Sequence, residues 1–235
     1  MKARNYFLVA AGLLALAVAP ALAYEEGTWI LRGGVGTVQP KSHSFTYSDE
    51  IDSISFDIDD ATSMTMTATY MFNQKWAFDV LAAVPFEHDI MATMDLGSGP
   101  VTAKIADTKQ LPVTVSLQYH FTPDRDFQPY AGLGFNWTKF SSTNTVAVPD
   151  FEYEDPELGY VSEVGCLDID DSTGLALQVG ADWAIGETMV VNFDVRWFDI
   201  DADVYYESPF EIGYEKIGTA QVDPLLYSLN IGFHF

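Results

Sequence analysis

Few side chains in this 235-residue sequence have the types and spacing that covalent chemistry requires. Nucleophilic catalysis needs a nucleophile within reach of a base, and a third group that orients the base. Only His43-Ser44 and Glu87-His88-Asp89 place a histidine beside such groups near the expected rim of the fold. Neither completes a nucleophile–base–acid set, so we predict that the protein is not an enzyme and uses no cofactor.

Alternating aspartates could do a second kind of chemistry, which is cation binding. They occur in FDIDD at 56–60, LDIDD at 167–171 and FDIDAD at 198–203. Carboxylates on one side of an extended segment suit hard cations such as Ca²⁺, although the glycine and distal glutamate of an EF-hand loop are absent. The candidate calcium ligands are Asp57, Asp59, Asp168 and Asp170. Solvated acidic loops, with divalent ions bridging loosely to lipopolysaccharide phosphates, are the favoured interpretation, and a specific calcium site stays as the alternative.

Composition excludes several classes of protein. The chain has 34 Asp and Glu against 11 Lys and Arg, a formal net charge of −23. Nucleic-acid binding needs clustered Lys and Arg, so nucleic acid is not a predicted partner. The 14% aromatic and 48% hydrophobic content is too high for a disordered chain. Cys166 is the only cysteine, so no intrachain disulfide can form.

The first 23 residues have the features of an export signal. Lys2 and Arg4 precede an apolar run over 6–22, and Ala21-Leu22-Ala23 supplies a small-x-small cleavage pattern. We therefore predict a signal peptide, residues 1–23, that is cleaved after Ala23. The mature chain, residues 24–235, would carry 9 Lys and Arg against 34 Asp and Glu, a net charge of −25.

The elements that must position any site in the mature chain are strands. Apolar residues recur with a period of two at 113–121, 189–197 and 227–235, with weaker alternation at 28–38, 62–72, 76–86, 129–140 and 173–185. No helical period recurs. Each segment has the roughly 9–11 residues that a tilted transmembrane strand needs, so the sequence predicts eight membrane-spanning strands.

The connections between these segments alternate in length. Short links lie at 73–75, 122–126 and 186–187, and long links at 39–61, 87–109, 141–172 and 200–220. Short periplasmic turns and long external loops are typical of outer-membrane barrels, whereas a soluble lipocalin-like barrel would lack this asymmetry. We predict an all-β fold, an eight-stranded antiparallel up-and-down transmembrane β-barrel with four long external loops.

Aromatic residues cluster near the strand ends, mostly at the end with the short turns. They are Trp29, Tyr70, Phe72, Trp76, Tyr119, Phe121, Trp183, Phe233 and Phe235. Amphipathic rings suit the membrane–water interface, so we expect a girdle there. The alternative is the ordinary aromatic core of a β-sandwich.

The residues that alternate with the apolar face should point into the barrel. They are Arg32, Asp79, Leu81, Gln118, His120, Asn136, Gln178, Asp182, Asn192, Asp194, Arg196, Asn230 and His234. Isolated charges in a narrow lumen would be costly. We therefore expect Arg32 and Arg196 to pair with some of Asp79, Asp182 and Asp194. A sealed, hydrogen-bonded lower lumen is favoured over a continuous pore.

Two prolines suggest a sideways route for apolar molecules. Pro85 should end the third strand, and Pro112 should begin its neighbour, so each removes a hydrogen-bond donor from the same seam. The candidate apolar lining near this exit is Leu81, Ala83 and Phe198. The alternative is that both prolines simply terminate their strands.

Several sequence blocks resemble, in order, the OmpW family of small outer-membrane proteins, which includes alkane-uptake porins. The blocks are VLAAVPFEHDI at 80–90, QLPVTVSLQYHF at 110–121, FQPYAGLGFNWTKF at 127–140, QVGADWAI at 178–185, FDIDADVYY at 198–206 and VDPLLYSLNIGFHF at 222–235. The resemblance covers nearly all of the strands but not the long links.

The resemblance implies a barrel in the Gram-negative outer membrane with a largely apolar lumen. It implies passive passage of small hydrophobic molecules, with outer-membrane lipid and lipopolysaccharide as surroundings. The terminal Phe235 resembles the signal that the outer-membrane assembly machinery recognises. The alternative function is a structural or surface-interaction barrel whose acidic loops bind a host factor, a phage or a bacteriocin.

Overall fold

A computed structural model describes residues 24–41, 45–48, 53–95, 99–145, 153–155, 159–161, 166–207 and 214–235. The predicted signal peptide and the His43-Ser44 pair lie outside these residues. The strands are β1 Trp29–Gln39, β2 Phe45–Ser48, β3 Ser53–Ile58, β4 Ala61–Met71, β5 Trp76–Ala83, β6 Phe86–Asp95, β7 Pro100–His120, β8 Phe127–Thr145, β9 Tyr153–Asp155, β10 Gly159–Val161, β11 Cys166–Ile169, β12 Ser172–Ile185, β13 Met189–Phe198, β14 Asp201–Glu207, β15 Tyr214–Gln221 and β16 Leu225–His234. In the described ranges, no helix has the length and apolar character needed to cross a membrane.

Eight of these strands form a closed antiparallel ring. Its order is β1, β4, β5, β7, β8, β12, β13 and β16, and β16 pairs with β1 from Ile30↔His234 to Gln39↔Leu225. Closure leaves no free sheet edge in the ring. The predicted eight-stranded up-and-down barrel is therefore confirmed.

The outer face of the ring is apolar. Phe135 is 73% exposed and Met66 is 69% exposed, and other large apolar side chains of the ring are exposed beside them. An apolar surface this extensive fits a lipid environment, because soluble monomers rarely expose one. At the short-turn end, Trp29 stacks near Tyr70 with ring centroids 4.9 Å apart, as expected for an interfacial girdle.

The short turns have local causes. The Asn73 side-chain oxygen accepts hydrogen bonds from the backbone N–H groups of Lys75 and Trp76 at 2.9 and 3.0 Å, which is an Asx turn between β4 and β5. Gly186, in the turn between β12 and β13, has a φ of 71°, a conformation that glycine adopts without strain.

The long links are not irregular loops where the structure describes them, which differs from the sequence prediction. β3 pairs with β6, and β6 pairs with the outer half of β7 from Phe86↔Gln110 to Asp95↔Pro100. β11, β14 and β15 form a second external sheet. These segments also alternate, but most of their outward residues are charged or polar instead of apolar, such as Glu87, Asp89 and Thr93, so composition hid the strand period.

A cluster of buried apolar side chains fills the outer part of the interior and is called here the outer apolar cluster. Its members are Val38, Ala61, Leu81, Phe86, Phe140, Ala176, Phe198, Ile200, Ala202, Val204, Ala220, Val222 and Leu226. They come both from the ring and from the external strands. The interior is therefore polar toward the short turns and apolar toward the long links.

Candidate functional site

The inward positions of the ring strands hold the side chains that could act on a solute. All of the predicted inward residues are buried, because alternate residues of a strand point to opposite faces and the ring is closed. Their chemistry divides along the barrel. A polar network lies in the lower barrel, and the outer apolar cluster lies beyond it.

Arg32 on β1 is fixed from two sides. Its Nε donates to Asp182 Oδ1 at 2.9 Å and its Nη2 contacts Asp182 Oδ2, which is bidentate pairing. Its Nη1 donates to Thr69 Oγ1 at 2.6 Å, and Thr69 in turn donates to Asp79 Oδ1 at 2.6 Å. The hydroxyl of Thr69 thus connects this arginine to a second carboxylate.

Arg196 on β13 joins the same network from the other side. Its Nη2 donates to Asp79 Oδ2 at 2.8 Å, and its Nε donates to Asp194 Oδ1 at 2.7 Å. Asp194 also accepts from Tyr130 and Gln178 at 2.8 and 2.7 Å. Since Asp79 bonds to both branches, two guanidiniums and three carboxylates form one continuous network.

Amide side chains extend this network across the lumen. Asn192 Nδ2 donates to Asp182 Oδ1 at 2.8 Å, and Asn230 Nδ2 donates to Asn192 Oδ1 at 2.9 Å. Gln118 Nε2 donates to Gln178 Oε1 at 3.1 Å. An ion or apolar molecule moving straight through the lower barrel would have to break these bonds, so the arrangement is that of a plug.

Tyr24 and Tyr130 complete the plug, and sequence reasoning missed both. Tyr24 precedes β1, is 1% exposed, and donates to Asp182 Oδ2 at 2.9 Å. Tyr24 lies outside the strands, so alternation cannot predict its direction. The sequence feature that could have pointed to it is an aromatic residue directly after the predicted cleavage site. Tyr130 lies over Gly180, where a Cβ atom would come within 2.5 Å of the tyrosine ring. Only glycine leaves room for this ring.

The predicted apolar lining residues come together above the plug. Leu81 and Phe198 are both buried in the outer apolar cluster, and Ala83 packs against it. Phe86, which the sequence did not single out, belongs to the same cluster. The sequence feature that could have identified Phe86 is its position directly after Pro85, at an inward-facing position of β6.

The strand pairing is interrupted beside this cluster. The β5–β7 ladder ends at Leu81↔Thr114, and the β6–β7 ladder begins at Phe86↔Gln110. Residues 82–85 are therefore not paired with 111–113, although Ala82 and Ala83 stay paired with β4 and β7 stays paired with β8. Pro85 is exposed and Pro112 is buried, one on each side of this gap. The prediction that Pro112 begins its strand is wrong, because β7 continues outward to Pro100, where it pairs with β6. We call the gap the seam.

The Glu87-His88-Asp89 trio is not one site, because alternate side chains point to opposite faces. Lys109 Nζ lies 2.9 Å from Glu87 Oε1 and Lys104 Nζ lies 2.6 Å from Asp89 Oδ1, both outside the barrel. These hydrogen bonds raise the pKa values of the two lysines. His88 points inward instead, and burial lowers its pKa.

The candidate calcium ligands lie in two different sheets, because β3 pairs with β6 and β11 pairs with β14. Asp57 and Asp59 belong to β3 and the turn after it, whereas Asp168 and Asp170 belong to β11 and the residue following it. Across the ranges that the structure describes, no three His, Cys, Asp or Glu side chains come together in a way that could hold a metal ion.

Comparison with known proteins adds to this geometry. A model of the OmpW family matches residues 25–235. Outer membrane protein W of Vibrio cholerae serotype O1 is 30% identical over 225 residues, covering 95% of this chain and 95% of that protein. Outer membrane protein AlkL of Ectopseudomonas oleovorans is 25% identical over 175 residues, covering 74% of this chain and 66% of that protein.

Solved structures agree with the barrel. The crystal structure of the outer membrane protein OprG from Pseudomonas aeruginosa matches with a TM-score of 0.75 and 31% identity, covering 91% of this chain and 98% of that chain. The solid-state NMR structure of AlkL in DMPC lipid bilayers matches with a TM-score of 0.61 and 21% identity, covering 95% and 97% of the two chains. The second likeness concerns the fold alone.

Proposed function

This chain belongs to the OmpW family of outer-membrane proteins, as its strand sequences predict, and from that premise we propose that it is a passive channel for small hydrophobic molecules. These molecules enter the outer part of the barrel and leave sideways through the seam into the membrane. The observation that carries this proposal is the ladder gap at Pro85 and Pro112, which lies directly beside the outer apolar cluster.

The two halves of the interior offer unequal routes. An apolar molecule in the lower barrel would displace charge-assisted hydrogen bonds without replacing them, and buried charges left unpaired are costly. In the outer apolar cluster the same molecule gains about 25 cal/mol for each Å² of apolar surface removed from water. The favourable route therefore ends above the plug.

The seam offers the exit from that point. A proline cannot donate to the ladder, so fewer hydrogen bonds hold β5 and β7 together here than in the paired part below. The side chains at the mouth include Ala82 and Ala83, which are small. Val84 is exposed on the outer face at the same level, so a molecule that passes the seam meets lipid at once.

The test is uptake of a hydrophobic solute by proteoliposomes, with and without the protein. Leu81→Trp and Ala83→Trp place a bulky ring at the inner side of the seam, and each should lower the initial rate several-fold. Val179→Trp is the matched control, because Val179 faces lipid on β12 and is 58% exposed. Uptake that does not depend on the protein at all would overturn the channel.

A further inference from the structure

Three buried polar side chains on the β6–β7 hairpin have polar atoms without partners. They are His88, Thr108 and Gln110, each 1% exposed, and are called here the polar patch. His88 is paired in register with Thr108, and Gln110 is paired with Phe86, one inward position away. His88 Nε2, Thr108 Oγ1 and Gln110 Nε2 make no hydrogen bond of acceptable length and angle within the described part of the chain. The Gln110 side chain does lie beside the His88 ring, where it opposes the larger effect of burial on the pKa of His88.

The surroundings of the patch are apolar. On one side Phe86 belongs to the outer apolar cluster. On the other side Ile90 and Ala106 belong to a second buried apolar cluster. Buried polar atoms in native proteins almost always have partners, because an unpaired one loses its hydration without compensation. Three together on one inner wall indicate that a bound molecule supplies the missing partner.

The hydrogen-bonding character of His88 is fixed by its other ring nitrogen. Nδ1 lies 2.7 Å from the backbone carbonyl oxygen of Asp59, and a carbonyl oxygen can only accept. Nδ1 therefore carries the proton. Because burial lowers the pKa of His88, the ring is neutral at pH 7 and its Nε2 presents a lone pair.

The other two members offer complementary groups. The Gln110 amide nitrogen is a donor, and the Thr108 hydroxyl can donate or accept. An acceptor next to a donor matches a group that both donates and accepts, which is a hydroxyl. A ketone would satisfy the donor only, and a hydrocarbon would satisfy neither.

We propose that the polar patch binds the hydroxyl group of small apolar alcohols and phenols, while the outer apolar cluster holds their apolar body. This inference rests on the proposed channel function and names its preferred substrate class. The patch adjoins the inner mouth of the seam, because Phe86 follows Pro85 and Gln110 lies two residues from Pro112. A solute held there is already placed at the exit.

Two effects disfavour binding of carboxylates to the polar patch, compared with alcohols of the same chain length. A carboxylate has no proton to donate to His88 Nε2. It also adds a negative charge near Asp59 and Asp60, whose charges act on His88. The expected order of binding is alcohol first, then ketone, then hydrocarbon and carboxylate.

The test uses the full chain in lipid nanodiscs with ¹⁵N-labelled histidine. 1-Octanol, n-octane and octanoate are added at equal mole fractions in the lipid, and the Nε2 resonance that disappears in His88→Leu is assigned to His88. We expect 1-octanol to shift this resonance and to bind about tenfold more tightly than n-octane, as one or two hydrogen bonds would give. The n-octane and octanoate samples should leave the resonance in place.

Thr108→Val, which is nearly isosteric, should lower the preference for 1-octanol over n-octane without disturbing the fold, as circular dichroism would verify. Glu87→Gln is the control, because Glu87 is exposed on the other strand of the same β6–β7 hairpin and its replacement should leave the preference unchanged. Equal binding of 1-octanol and n-octane, or an unmoved His88 resonance, would overturn the inference.

The two proposals fail in different ways. Binding of 1-octanol to the patch without protein-dependent uptake would leave the inference standing and reject the channel. Protein-dependent uptake of both solutes at equal rates, with no effect of Thr108→Val, would keep the channel and reject the patch.

Discussion

Arg196 lies between two carboxylates in a part of the barrel that water does not reach. It is 1% exposed, and it bonds to Asp79 and Asp194 at 2.8 and 2.7 Å. Replacing it by methionine leaves two buried carboxylates short of a partner. We expect Arg196→Met to lower the free energy of unfolding by about 3–5 kcal/mol, as when one member of a buried pair is removed. Guanidinium unfolding of the lipid-reconstituted protein measures this difference.

An exposed pair is the matched control for this experiment. Lys216 Nζ lies 2.6 Å from Asp203 Oδ2 on the external sheet, and both side chains are partly exposed. Lys216→Met should cost far less stability than Arg196→Met, because solvent screens an exposed pair. Equal losses for the two variants would mean that the plug does not depend on its charges.

His88 gives the barrel a pH dependence with a definite sign. Its pKa in the folded protein is below the ordinary value of 6.5, chiefly because burial disfavours the charged ring. The unfolded chain therefore binds more protons between those two pKa values. The contribution of neutral His88 to stability is complete above about pH 6.5 and is lost as the pH falls below it. We expect the wild type to lose more stability than His88→Gln between pH 7.5 and 5.5. Unfolding midpoints at the two pH values check this, and the histidines common to both proteins cancel.

At this scale the sequence is informative where strand alternation decides which way a side chain faces. It placed Arg32 and Asp182 inward because every second residue of a transmembrane strand faces the lumen. It could not find Tyr24, whose position depends on the chain folding back under the barrel to reach Asp182. Nor could it find the unpaired atoms of the polar patch, because a missing partner is a property of three-dimensional neighbours.

The seam depends on how two elements pair, namely the end of β5 and the middle of β7, and not on any single residue. Pro85→Ala and Pro112→Ala together restore two backbone N–H groups, each of which can add a hydrogen bond worth about 1 kcal/mol to the closed seam. Since 1.4 kcal/mol is a factor of ten, the two bonds together correspond to about 30-fold, and we expect hydrophobic uptake to fall by about that factor in the double variant. The measurement is the initial uptake rate in proteoliposomes at equal protein content.

Pro129→Ala is the control for this pair. Pro129 lies on β8, where it is paired with Ala181. It is at the short-turn end of the barrel, away from the seam. Its replacement should leave uptake unchanged. Faster uptake in the Pro85/Pro112 double variant, or a similar loss in Pro129→Ala, would contradict a seam that opens for solutes.

At the level of elements, the sequence indicated which links are short but not what the long ones contain. Turn chemistry at Asn73 and Gly186 is local, so it can be read directly. The pairing of β3 with β6, by contrast, joins segments more than thirty residues apart by Ile54↔Met94 and neighbouring contacts. Their largely polar outward faces made them resemble loops, because period-two alternation of apolar residues was expected only where one face meets lipid.

At the scale of the whole molecule, an acidic external surface surrounds an apolar interior in the outer part of the barrel. The up-and-down order could be predicted because each ring strand pairs with the next ring strand along the chain, which needs no long-range information. The external extension and the position of its apolar contents could not, since strands from separate links contribute to the outer apolar cluster. The two candidate functions differ in which of these parts acts: the apolar interior in the channel, or the acidic exterior in the surface-binding alternative.

The channel and the surface-binding alternative make opposite predictions about the acidic exterior. Asp59, Asp60 and Asp168 are exposed on the external strands and turns, outside the apolar interior. Replacing all three by asparagine removes charge without removing volume. In the channel, an uncharged solute gains nothing from these carboxylates, so uptake should stay within about twofold of the wild type, well under the 1.4 kcal/mol that a tenfold change represents. In the alternative, whole cells that carry the same variant should lose capture of an external partner, because long-range attraction to a charged surface depends on these groups.

Measuring uptake and partner binding in parallel distinguishes the channel from the surface-binding alternative. A large loss of uptake in the triple variant, with the barrel intact by circular dichroism, would mean that solutes enter through the acidic surface and that the apolar route alone does not set the rate.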